Sequence, residues 1–372
     1  MAASIRREVK CYIIDMRFSL LLFVYLVSGP ACAQAEESAG NCLEVTLTGT
    51  LGGPHAINGL AGAGTLVRYG TVDNDCGDLL LQFDAGRGTT GRLSQIGISP
   101  VQLDAVFLTH LHSDHTEGLA GLLQYRWHFL GGPLDVICSG DATASMPPPE
   151  RTMSCRKLVA HTADAMIASG EIAQRIAENN KRHVDGPATL GRLHPVEIPH
   201  PDRPGHVVWQ SGEVSVTAIG TTHIAGSLAY RVNTPAGAVV IGGDAGNSKP
   251  APPRDSSTSE TVELLAAGAD ILVHSVVHTA FAPGAGSTFP PPIYFRQSNA
   301  PDLGAMAERA GVRHLVLTHL IPALDSPSHG PFQVPGGSLN SDDFASAVRE
   351  SGFNGDLQVG KDLLTLRLTA TN

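Results

Sequence analysis

From Asn41 onward the chain alternates short apolar runs with polar loops and a few amphipathic stretches. "CLEVTLTG" (42–49), "LVRYG" (66–70) and "DLLLQFD" (78–84) predict strands, being apolar and β-branched runs bounded by turn residues. "TADAMIASGEIAQRIAENN" (162–180) predicts one helix, from its periodicity and its Ala and Glu content. Residues 193–207, "LHPVEIPHPDRPGHV", read as a proline-rich connection rather than an element. Ser257, with Glu260 three residues on, reads as a capping box that opens the helix "TVELLAAGA" (261–269). Strands and helices interleave with no long linker and no tandem repeat, which predicts a single α/β domain over residues 36–372.

The pattern becomes chemical at the strand ends. "AVFLTH" runs into His110, "VSVTAIGTTH" into His223, "AVVIGGD" into Asp244 and "HLVLTH" into His319. In α/β sheets, sites are built beyond the carboxyl ends of strands. Four such runs, each finishing on a metal-binding side chain, predict a shared metal site. "THLHSDHTEGL" (109–119) adds His112, Asp114 and His115, a cluster that a packed core could scarcely satisfy. Imidazole and carboxylate together suit zinc, with manganese and iron left open. Crowding within "HLHSDH" predicts two ions rather than one. His110, His112 and His223 would serve the first; Asp114, His115 and His319 the second; Asp244 would bridge both. Hydroxide held between two divalent ions is a strong nucleophile at neutral pH.

The first 35 residues stand apart. A basic stretch (Arg6, Arg7, Lys10, Arg17) precedes the apolar run Phe18–Val27, and "ACAQA" ends on small residues at Ala33 and Ala35. This predicts a signal peptide cleaved near Ala35, and a secreted or periplasmic protein. The run is about half of the roughly 20 apolar residues that a membrane span needs, so no membrane association is expected after cleavage. Cleavage removes four basic and two acidic groups, leaving 21 basic and 33 acidic residues and a formal charge of −12. Such an acidic chain, with no basic run, argues against nucleic acid as a partner and for a small-molecule substrate. Cys42, Cys76, Cys138 and Cys155 remain after cleavage, an even number in an oxidising compartment. Of the three possible pairings, Cys42–Cys76 with Cys138–Cys155 is preferred; the second closes the loop containing "SMPPPE". Nothing in the sequence fixes an oligomeric state.

The set "HLHSDH", "GGD" and "LTHL" resembles the metallo-β-lactamase superfamily of dinuclear hydrolases. The order of "LTGTLGGP" (47–54), "FDAGRGT" (83–89), "THIAGSLAYRV" (222–232), "ADILVHS" (269–275) and "LVLTHLIP" (315–322) extends the likeness over nearly all of the mature chain. Among its branches the closest resemblance is to the ribonuclease Z and arylsulfatase-like group. The resemblance implies a four-layer αββα sandwich with the metals at one edge of the sheets. It carries over the same seven ligands, and makes Asp84 a partner that orients a ligand histidine.

Departures from that branch narrow the function. The branch commonly inserts a basic arm for gripping tRNA before the "GD" strand, where this chain has only "VNTPAGAVVIG". Ser275 stands where the branch has glutamate, and Gln297 where it has a catalytic histidine. True β-lactamases of the superfamily lack an aspartate at the Asp244 position. The expectation is therefore an exported dinuclear zinc hydrolase in which Asp114 orients a metal-bridging hydroxide. Its substrate would be a small phosphodiester or aryl sulfate ester. The alternatives are a lactone or cyclic-ester hydrolase, less favoured a ribonuclease Z-type endonuclease or a β-lactamase, or a metal-binding protein that has lost turnover. His274 and His278 are candidates to line the site, with His278 replacing the missing acid, and His55 is a candidate to touch substrate. His128 is expected to pack in the core with Trp127, and His183, His194, His200, His206 and His329 to be solvated.

Overall fold

Two seven-stranded mixed sheets organise the structure, a computed structural model that describes residues 40–143, 152–197, 205–284 and 286–369. One sheet runs Thr365–Thr369, Asn41–Gly49, Gly64–Thr71, Leu79–Phe83, Ala105–Phe107, Leu134–Ser139 and Gly191–Val196. The other runs Asp356–Val359, His314–Ile321, Ile271–Val277, Gly237–Ile241, Leu228–Thr234, Val214–Gly220 and His206–Ser211. Each is antiparallel in one half and parallel in the other.

Alternate residues of each strand enter different cores. Leu79, Leu81, Phe83, Ala105 and Phe107 face Tyr230, Val232, Val239, Ile241 and Val273 between the sheets. Their neighbours Leu80 and Val106 point outward to Leu122 of the helix Leu119–His128 and Val159 of the helix Cys155–Ala168. On the other sheet Val240 and Leu272 meet Val262, Leu303 and Phe344 of three further helices, Glu260–Ala266, Ala300–Arg309 and Ser341–Arg349. Strands covered on both faces read as continuous apolar runs, and the result is the αββα arrangement. The sulfurs pair as Cys42–Cys76 and Cys138–Cys155. The described residues fall in one unit, Ala39–Asn372. The expected signal peptide, the "SMPPPE" stretch and His200 lie outside the described residues.

Local readings needed correction in four places. The stretch 162–180 is two helices, Cys155–Ala168 and Glu171–Glu178, because Gly170 takes φ 84 and turns the chain. The proline-rich connection overlaps the edge strand Gly191–Val196 at its start and the edge strand His206–Ser211 at its end; Pro195 is tolerated because no strand lies beyond its own. Ser259, not Ser257, caps Glu260–Ala266 by accepting from Val262 N at 3.4 Å. His128 ends its helix half-exposed, edge-on to Phe129, and only Trp127 enters the core.

Candidate metal centre

The two sheets are tied together beside the histidine cluster. Leu228 N donates to Thr109 O at 2.8 Å and the Tyr230 hydroxyl to Leu108 O at 2.8 Å. His110 therefore leaves the strand Ala105–Phe107 at a point fixed from both sides. His112 is the N-cap of a four-residue helix, Ser113–Thr116, which buries Asp114 and His115. That helix is braced by the turn after Leu79–Phe83, where Ala85 N donates to His115 O at 2.7 Å. Gly86 is required there: a Cβ on it would lie 2.2 Å from Asp114 O.

The structure brings all seven expected side chains to one place. Three overlapping groups have donor atoms within 4.8 Å of one another: His110, His112 and His223; His110, His115 and Asp244; Asp114, His115 and His319. His110 Nε2 lies 3.0 Å from His112 Nδ1, which lies 3.3 Å from His223 Nε2. His319 Nε2 lies 3.0 Å from Asp114 Oδ2. Asp244 Oδ2 reaches both sets, at 3.7 Å from His223 Nε2, 3.5 Å from His115 Nε2 and 3.1 Å from His319 Nε2. Two donors on a tetrahedral zinc lie about 3.3–3.4 Å apart, so these separations suit shared ions.

Asp84, with φ 55, accepts from Thr109 N at 2.7 Å and Thr109 Oγ1 at 2.8 Å. Its Oδ2 is also 2.8 Å from His115 Nδ1, which leaves His115 Nε2 facing the cluster. His223 Nδ1 donates to Arg296 O at 3.2 Å and is fixed in the same manner. The electrostatics call for a cation. Burial opposes charge on His115, yet Asp244, Asp84 and Asp114 hold its pKa well above the ordinary histidine value. Burial also opposes charge on Asp244, but His319 and His115 hold its carboxyl well below the carboxylate range. Burial brings His223 down to about 3, so this ring stays a neutral donor. His115 Nε2 and Asp244 Oδ1 are buried without hydrogen-bond partners. Neutral imidazoles, carboxylates and orphaned donor atoms together fit divalent metal ions.

A cavity of about 370 Å³ opens over the cluster. His112, Asp114, His223, Asp244 and His319 form its floor; Phe289, Ile293, Ile321 and Phe332 line its walls. Gln297 lines it, buried, with Oε1 unpartnered, and His55 stands at its edge. His278 does not. It caps the turn Thr279–Phe281 through Nδ1 and packs on Phe344, 5.0 Å away in the helical layer. The expectation that it replaces an acid is thereby overturned. His274 is fully buried beneath Gly242 and does not reach the cavity. His329, expected in solvent, is 2% exposed and lines the cavity beside His55. No local signal in "SPSHGP" distinguishes it. Arg296 was also missed, although it adjoins Gln297.

The metallo-beta-lactamase superfamily model matches residues 77–279, and with the two sheets and the His/Asp cluster this defines a metal-dependent hydrolase. Ribonuclease Z of Mycobacterium marinum (strain ATCC BAA-535 / M) is 31% identical over 327 residues, covering 86% of this chain and 97% of that protein. Ribonuclease Z of Mycobacterium avium (strain 104) is 32% identical over 333 residues, covering 88% and 99%. The chain belongs to the metallo-β-lactamase superfamily, on its ribonuclease Z-like branch. The fold agrees with that of YhfI from Bacillus subtilis, a metallo-beta-lactamase fold protein (TM-score 0.55, 20% identity, covering 88% of this chain and 99% of that one). It also agrees with human tRNase Z, short form (TM-score 0.53, 16% identity, covering 87% and 98%).

Proposed function

We propose that this protein is an exported dinuclear zinc hydrolase of small phosphodiesters or aryl sulfate esters. The observation that carries this reading is the cavity itself: a floor of metal-ligating side chains under walls of Phe289, Ile293, Ile321 and Phe332. A pocket of about 370 Å³ suits a small ester with an aryl group. His110, His112 and His223 would hold one ion, Asp114, His115 and His319 the second, with Asp244 between them. Divalent ions in such a site lower the pKa of water and offset the negative charge that develops during ester cleavage.

The chain's own groups do the positioning. Asp84 holds His115, the Arg296 carbonyl holds His223, and Asp114 faces the cavity where it orients the attacking water. Gln297 is no proton donor of useful acidity, so leaving groups stable as anions are favoured. The basic start and short apolar run of the first 35 residues support export.

The ribonuclease Z relatives favour a second reading, processing of a tRNA precursor. Against it stand the formal charge of −12 after cleavage and the tight hairpin Leu228–Thr234 to Gly237–Ile241, whose two-residue turn leaves no room for an arm. Kinetics on chromogenic phosphodiester, aryl sulfate, lactone and β-lactam substrates, beside a tRNA precursor, tests the proposal. Turnover of the first two classes supports it; efficient cleavage of the precursor with none of the small esters overturns it.

A further inference from the structure

We infer that Arg296 selects the charge of the substrate, binding the anionic oxygen of a phosphodiester or sulfate ester while the aryl group rests on Phe289 and Phe332. The inference rests on the hydrolase reading above and adds a class distinction to it, anionic esters over neutral ones.

Arg296 lines the cavity together with His112, Asp114, His223 and Asp244. Its backbone is held rather than loose. Its carbonyl accepts from His223 Nδ1 at 3.2 Å, and the neighbouring Ser298 hydroxyl donates to Ala245 O at 2.7 Å. A Cβ on Gly246 would lie 2.6 Å from Arg296 O, so only glycine admits this approach. The chain thus fixes a guanidinium root directly beside a metal ligand.

The side chain itself is left wanting a partner. Arg296 is half-buried and its Nε is buried with no hydrogen-bond partner. Burial presses on its charge, and Asp244 and Asp114 are near enough to oppose that pressure. Those two carboxylates also belong to the proposed ligand set, so metal ions compete for them. A guanidinium never deprotonates, and its planar fork matches the oxygens of a phosphate or sulfate group. Keeping its buried Nε without an acceptor is costly unless a ligand supplies one. Phe289 and Phe332, edge to face at 5.2 Å, line the same cavity and give it an aromatic wall. An anion at Arg296 next to a ring at Phe289 describes an aryl ester with a charged centre, not a lactone.

The test uses the metal-loaded protein and three proteins: wild type, Arg296→Met and Arg296→Lys. The first readout is the ratio of kcat/KM for methyl p-nitrophenyl phosphate to kcat/KM for neutral p-nitrophenyl acetate. The second is calorimetric binding of phenylphosphonate. Losing charge-assisted hydrogen bonds should lower that ratio, and the phenylphosphonate affinity, by about 10- to 100-fold in Arg296→Met. Arg296→Lys should restore part of both. A ratio unchanged in Arg296→Met, or phenylphosphonate bound as tightly as by wild type, overturns the inference. A role confined to balancing Asp244 and Asp114 would change metal affinity and leave the ratio alone. The two failures remain separate: a wild type that cleaves none of these esters overturns the hydrolase reading, whereas the binding arm still reports on Arg296.

Discussion

Replacing Asp84 by asparagine probes whether the second layer of the site holds metal through His115. The carboxylate is 4% exposed and accepts from Thr109 N, Thr109 Oγ1 and His115 Nδ1, all within 2.8 Å. An amide keeps the volume and can still accept from Thr109 N. Its NH₂ would then face His115 Nδ1, which must carry a proton if Nε2 is to bind metal. Two donors cannot satisfy each other, so the ring must rotate or change tautomer. Loss of such a supporting partner typically costs about 10- to 100-fold in metal affinity, or about 1.4–2.7 kcal/mol. The expected result of competition against a chelator of known affinity is one weakened site of that size. The set formed by His110, His112 and His223 should be weakened less, because Asp84 reaches it only through the Thr109 hydroxyl, 3.1 Å from His110 Nδ1. Near-UV circular dichroism should match wild type, since Asp84→Asn leaves the buried Thr109 N–H partnered. Wild-type affinity at both sites, with native circular dichroism, would refute the claim that Asp84 acts through His115.

Elemental analysis should find about two ions per chain after reconstitution, and fewer in His110→Ala and in His319→Ala; wild-type content in both would refute the ligand assignment. Gln297→His should raise cleavage of an alkyl phosphodiester relative to its aryl partner, up to about 10²-fold if the new ring donates a proton. His278→Ala should leave that aryl-to-alkyl ratio unchanged, because its ring packs on Phe344 outside the cavity. Exported protein alkylated without reductant should show no free thiols by mass spectrometry. A Cys42→Ser, Cys76→Ser variant should lose about 3–4 kcal/mol of stability in denaturant titration, from the sequence separation of 34 that this bridge spans.

Much of this protein was legible in its sequence, for a definite physical reason. Strands buried on both faces leave continuous apolar runs, and a metal site needs residue types that have few other reasons to cluster. The seven proposed ligands could therefore be read from spacing and residue type, whereas the two-sheet arrangement followed from the family resemblance and the cysteine pairing was a preference among three that the structure bears out. The helix break at Gly170 was within reach too, since a glycine at positive φ ends a helix that the flanking residues would continue. What only the tertiary structure decided is which way each remaining polar side chain faces. His278 follows the strand Ile271–Val277 and His329 sits in the short strand Ser328–His329, yet one packs on Phe344 and the other lines the cavity beside His55. Arg296 gives no sequence signal, because its importance comes from Gly246, His223 and Asp244 converging on it from other parts of the chain. Local pattern records whether a residue is buried; the direction in which it is buried depends on long-range packing, which no short stretch of sequence contains.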